Sequence, residues 1–106
     1  AGTNLQTIRQ ISSLITQDAH SDYEVASILD GETRAENLRY FLSYVDGKPS
    51  MPSDKYPDAK LLYVVSYLDQ DPLTKHVWEL DSIKPAKISQ EWKINKLIKL
   101  SKLEKL

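Results

Sequence analysis

Lysine recurs at every third position through the end of this chain, at Lys93, Lys96, Lys99, Lys102 and Lys105. A branched apolar residue directly follows each one, at Ile94, Leu97, Leu100, Leu103 and Leu106, and Ile98 adds another. Read as a helix over residues 88–106, capped by Ser89 and anchored by Trp92, this pattern is restrictive. An α-helix turns about 100° per residue, so a spacing of three falls about 60° short of a full turn. From Ile94 to Leu106 the apolar residues wind through roughly 240° of the helix surface. A coiled coil, which needs a sustained 3.5-residue repeat, is excluded. So is a basic amphipathic membrane helix, whose lysines and leucines take opposite faces. A helix apolar over so wide an arc needs cover on more than one side. The expectation is that the body covers Trp92 to Ile98 and that Leu100 to Leu106 meet a partner or a second copy, or fray.

The net charge of −1 conceals a division. Residues 84–106 carry seven lysines against Glu91 and Glu104, a balance of +5, while residues 1–83 carry seven basic and thirteen acidic side chains, a balance of −6. A basic tail on an acidic body either folds back on that body or reaches an acidic partner. At 106 residues the chain is expected to form one domain. The absence of cysteine excludes disulfides, thiolate zinc sites and a cysteine nucleophile, and fits a reducing, intracellular setting, cytoplasmic or nuclear. No stretch approaches the ~18 apolar residues of a membrane span, and the N-terminus has no signal-peptide pattern.

Ahead of the tail, three helices are predicted. Leu5, Ile8, Ile11, Leu14 and Ile15 fall at helical spacing within residues 3–17. Ser21 and Glu24 form a capping box for a short helix, Tyr23–Leu29, closed by Gly31. Thr33 and Glu36 form a second box for Arg34–Val45, whose apolar side is Ala35, Leu38, Phe41, Leu42 and Val45 and whose end is Asp46-Gly47. Residues 47–60 hold three of the five prolines and read as a loop.

Leu61–Ile83 supports two readings. The density of valine and tyrosine in LLYVVSYL, echoed in HVWEL, favours a β-hairpin. Asp71-Pro72 is also a good helix start, with Leu73, Val77 and Leu80 continuing an apolar face. The hairpin is the preferred reading. The predicted class is α+β, with three N-terminal helices, one β-hairpin and a long C-terminal helix. An all-α fold of five to six helices is the alternative.

A short helix, a turn, a longer helix and a hairpin resemble the winged-helix architecture in layout. In DNA-binding members the third helix enters the major groove. The resemblance implies Arg34, Asn37 and Arg39, with the tail lysines, as nucleic-acid contacts, although Glu32, Glu36 and the acidic body oppose phosphate. VVSYL followed by HVWELDSIKP resembles locally the hairpin of ubiquitin C-terminal hydrolases, with Asp81 at the place of the catalytic acid. That activity is not implied here, because the chain has no cysteine and carries Tyr63 where the family has its histidine.

No other constellation points to catalysis. Asp18, His20 and Asp22 alternate as a polar linker would, and His76 stands alone in an apolar run. Gly2, Gly31 and Gly47 are too scattered for a phosphate loop. Tyr40 and Tyr44 share a helix side and with Arg39 could form a contact patch. The expected function is therefore a non-enzymatic interaction or assembly domain without a cofactor or small-molecule ligand. Its contact element is the tail helix, through Trp92, Ile94, Leu97, Ile98, Leu100 and Leu103, with Lys96, Lys99 and Lys102 steering it toward an acidic protein or a second copy. Nucleic-acid binding is the alternative.

Overall fold

A computed structural model describes residues 5–29, 36–51, 58–75 and 77–106. Its organising strand is β2 (Leu61–Tyr67), the LLYVVSY run, which is buried on both sides. Strands covered on both faces read as continuous apolar runs rather than alternating ones, and this one does. β2 lies between β1 (Glu24–Ser27), parallel to it, and β4 (Ile98–Lys105), antiparallel to it. β3 (Ala86–Lys93) pairs with the far side of β4, giving the order β1-β2-β4-β3.

Each face of the sheet has its own apolar layer. On one face, α1 (Leu5–Asp18), α2 (Glu36–Tyr40) and the π-helical turn Phe41–Val45 pack through Ile11, Ile15, Leu38 and Leu42 onto Val25, Leu61, Tyr63, Val65, Ile98 and Leu100. On the other, α3 (Trp78–Ile83) packs Leu80 and Ile83 onto Ala26, Leu62, Val64 and Leu103.

The α+β class holds, but the predicted arrangement does not. There is no C-terminal helix: residues 86–105 form an antiparallel hairpin. The physical reason lies in the same lysine period. A spacing of three drifts around a helix, whereas on a strand it alternates faces. Ile98, Leu100 and Lys102 therefore point toward α1, while Lys99, Ser101 and Leu103 point toward α3. The apolar residues that could not share one helix face are divided between two sheet faces. Asn95 reverses the chain, its Oδ1 accepting from the amides of Leu97 at 2.8 Å and Ile98 at 2.9 Å. Ser89, expected to cap a helix, sits at an irregularity of register between Ile88 and Gln90.

The hairpin expected over Leu61–Ile83 is also overturned. Its first half is β2, but Trp78, Glu79 and Leu80 lie in α3. Asp71 Oδ1 accepts from the Leu73 amide at 3.0 Å and starts a 3₁₀ turn, Pro72–Thr74, with proline at its first positions. Leu80 and Ile83, three apart, then face the sheet, and this burial outweighs the strand preference of Val77 and Trp78. The local likeness to the hydrolase hairpin disappears with it. The cis bond Lys84-Pro85 precedes β3.

The short helix expected at Tyr23–Leu29 is instead β1, so the winged-helix layout is not formed. Val25 faces α1 and Ala26 faces α3, an alternation that pairing with β2 rewards and a two-turn helix could not. The first helix is where its spacing puts it, although Leu5 is exposed. The third is formed over Glu36–Val45 and ends at Gly47, whose φ of 68° is left-handed. Gly31, the Thr33 half of the second capping box, His76 and the centre of the 47–60 loop lie outside the described residues.

Candidate functional site

The β3–β4 hairpin carries most of the residues expected to make contacts, and it spends most of them on the interior. Ile98, Leu100 and Leu103 are fully buried and Ile94 nearly so. Trp92 is half-buried against Leu100, and its ring lies 6.4 Å from that of Tyr63. Tyr63 in turn meets Tyr23 edge-on at 5.7 Å. These side chains are core, with Trp92 at its edge.

Two of the lysines are tied down. Lys102 Nζ lies 2.7 Å from Asp18 Oδ2, which also accepts from the Tyr63 hydroxyl at 2.6 Å. Asp18 is the last residue of α1, where the helix dipole disfavours an anion, so Lys102 offsets an unfavourable placement. The Lys48 ammonium adds to this by donating to Thr16 O at 3.2 Å and to Ala19 O, capping the helix. Burial works against the ionised Asp18 carboxylate, but Lys102, the Tyr63 hydroxyl and His20 hold its pKa below the ordinary 3.8. Burial, reinforced by the bond to Asp18, pushes the Tyr63 phenol up. On the opposite face Lys99 Nζ sits 3.2 Å from Glu91 Oε2, which accepts from Ser101 Oγ at 2.7 Å.

Because its folded-state pKa is depressed, Asp18 stabilises the fold above pH 3.8, and that contribution is lost as the pH falls further. Asp18→Asn is expected to cost about 1 kcal/mol at pH 7, since the pair is partly exposed. It should also flatten the acid limb of the denaturation curve, measured by urea titration between pH 2.5 and 7.

What remains exposed on the hairpin is its turn. Leu97 is 58% exposed and Leu68, whose amide donates to Leu97 O at 3.0 Å, is 38% exposed. Lys93 is paired across the strands with Lys99, and Lys96 lies in the turn. Among the described residues neither Lys93 nor Lys96 has an ion-pair partner. Asp69 borders this patch on the β2 side. A second exposed patch lies on the π-helical turn, where the Tyr40 and Tyr44 rings are 5.1 Å apart beside exposed Val45.

Of the residues expected to contact nucleic acid, Asn37 and Arg39 lie among the described residues. Arg39 turns inward, with its guanidinium 3.5 Å from Met51 O and 3.9 Å from Glu24 Oε2. Asn37 is exposed on α2, and Arg34 lies outside the described residues. Asp81 is on α3, 3.2 Å from Lys84 Nζ.

His20, Ser21, Asp22 and Lys48 help line an open polar cleft of about 450 Å³. Asp18 is engaged by Lys102, and among the described residues no three His, Asp or Glu side chains gather as a metal set would. No helix among the described residues is long and apolar enough to cross a membrane.

Sequence reasoning missed Glu24. Assigned to a helix cap, it instead lies on β1, 1% exposed, and neither carboxylate oxygen has a hydrogen-bond partner. Burial, opposed by Arg39 and reinforced by Glu79, raises its pKa from 4.5 to about 8. The available signal was its position between Tyr23 and Val25, both of which bury. No protein-family model, curated protein or solved structure matches this chain.

Proposed function

We propose that this chain is a non-enzymatic interaction domain that contacts an acidic protein surface through the tip of the β3–β4 hairpin. The reading rests on one observation: Leu97 and Leu68 stand exposed side by side, next to two lysines, Lys93 and Lys96, that have no acidic partner among the described residues. Apolar anchors supply contact area and unpaired cations steer an acidic partner toward them. Lys99 and Lys102, which were expected to share this role, are engaged within the fold.

The test titrates the isotope-labelled protein with an acidic, leucine-containing peptide and with duplex DNA at low salt, following backbone amides. The expected result is a set of peptide-induced shifts confined to Leu68, Lys93, Lys96 and Leu97, abolished in Lys96→Glu/Leu97→Glu. Raising the salt should weaken binding, because screening shortens the reach of exposed charges. Shifts elsewhere, or stronger displacement of the same amides by duplex DNA, overturn the reading in favour of another surface or of nucleic acid.

A further inference from the structure

Glu24 is the most deeply buried charged group among the described residues, and the hairpin reading does not use it. It sits on β1, the four-residue strand at one edge of the sheet, whose strand neighbour is β2, in parallel pairing. Glu24 lies opposite Leu62 in that pairing, on the face that α3 covers. Among the described residues two charged groups act on it from the packed elements: Arg39 of α2, at 3.9 Å, and Glu79 of α3, itself 6% exposed. β2 offers Leu62, Val64 and the buried Ser66 on that face, none of them charged. A carboxylate enclosed in this way has one guanidinium beyond hydrogen-bond distance, one repelling carboxylate and no donor to either oxygen. A carboxylate desolvated without donors is held more readily as the neutral acid.

We propose that Glu24 is a proton-operated latch on the β1 edge. Protonated, it keeps β1 seated between α2 and α3; once it ionises, the strand opens so that the carboxylate reaches water. A short edge strand is the part of a sheet most easily opened without unfolding the rest. The energetic logic matches that placement. In the closed form the proton is retained up to about pH 8, whereas in an open form the carboxyl returns toward 4.5. Between those values the open form gains about tenfold in population per pH unit. Below them both forms are protonated, and the latch is insensitive to pH.

The experiment is amide hydrogen exchange on the full chain between pH 5 and 8, expressed as protection factors so that the intrinsic pH dependence of exchange is removed. In the unmodified protein, Val25, Ala26 and Ser27 are expected to be less protected than Leu100–Leu103 at every pH and to lose protection by about tenfold per unit. In Glu24→Gln the β1 protection should be flat. The proposal is overturned if β1 and β4 share one protection factor, if β1 shows no pH dependence, or if Glu24→Gln shows the same dependence. Should Glu24→Gln fail to fold, a carbon-13 titration of the Glu24 carboxyl in the unmodified protein decides. A midpoint above pH 7 supports the latch, and a midpoint in the ordinary carboxylate range overturns it.

Discussion

Leu100→Ala is expected to destabilise the protein by about 3 kcal/mol, and Leu100→Glu to prevent folding. Leu100 is fully buried in β4, opposite Val65 on one side and Trp92 on the other, in the layer beneath α1. Truncation leaves a cavity in the layer between the sheet and α1, and a carboxylate there has no partner to share. Leu103→Ala should cost a similar amount by emptying the layer beneath α3. Leu97→Ala, by contrast, should change stability by less than about 0.5 kcal/mol, because its side chain is exposed. Urea denaturation of the three variants measures the contrast. Were the tail a contact helix lying on the surface, Leu97 and Leu100 would respond alike.

Glu24→Gln carries the second large effect, and its sign depends on pH. Below 4.5 the carboxyl is protonated in folded and unfolded chains alike and contributes no difference. Between 4.5 and about 8 the unfolded chain releases the proton while the folded chain keeps it, so stability falls as the pH rises. Above about 8 the full cost is present. The step from 4.5 to about 8 corresponds to at most about 5 kcal/mol, a large share of the stability of a domain this size. The glutamine variant should match the unmodified protein near pH 4.5 and exceed it by several kcal/mol at pH 8.5. Equal stabilities across that range would show that Glu24 reaches solvent or a donor in the folded protein.

The parts of this fold that were legible are those in which one residue pattern satisfies one environment. α1 has a single apolar face, so Ile8, Ile11 and Ile15 announce it. β2 is an apolar run broken only by Ser66, with Val64 and Val65 at its centre, and buries on both sides. The hairpin and α3 were misread because their patterns satisfy two environments at once. Ile98, Leu100 and Leu103 follow no helix face, and that failure was visible in the winding of the lysine–leucine repeat. The expectation of a helix needing a partner is overturned: a central strand divides these residues between two faces of the sheet. Val77 and Trp78 carry strand preference, yet Asp71-Pro72 upstream and the three-residue step from Leu80 to Ile83 decide for a turn and a helix. β1 is too short for periodicity to separate it from a helix, and only its register with β2 fixes it.

The candidate site was legible in charge and not in placement. The excess of lysine after residue 84 is real, but the antiparallel return brings Asp18 to Lys102 and Glu91 to Lys99, pairings that no local pattern reveals. Of the nine residues expected to form a contact surface, Lys96 and Leu97 are the ones left exposed. They sit together because Asn95 makes the turn.

The most direct test of this account is the set of backbone carbon chemical shifts of residues 88–106. A central strand at Ile98–Lys105 predicts Cα shifts below and Cβ shifts above their random-coil values through that segment and through Ala86–Lys93, interrupted at 94–97. An unbroken run of helical shifts from Ser89 to the C-terminus would contradict the hairpin, and with it the tip on which the proposed contact depends.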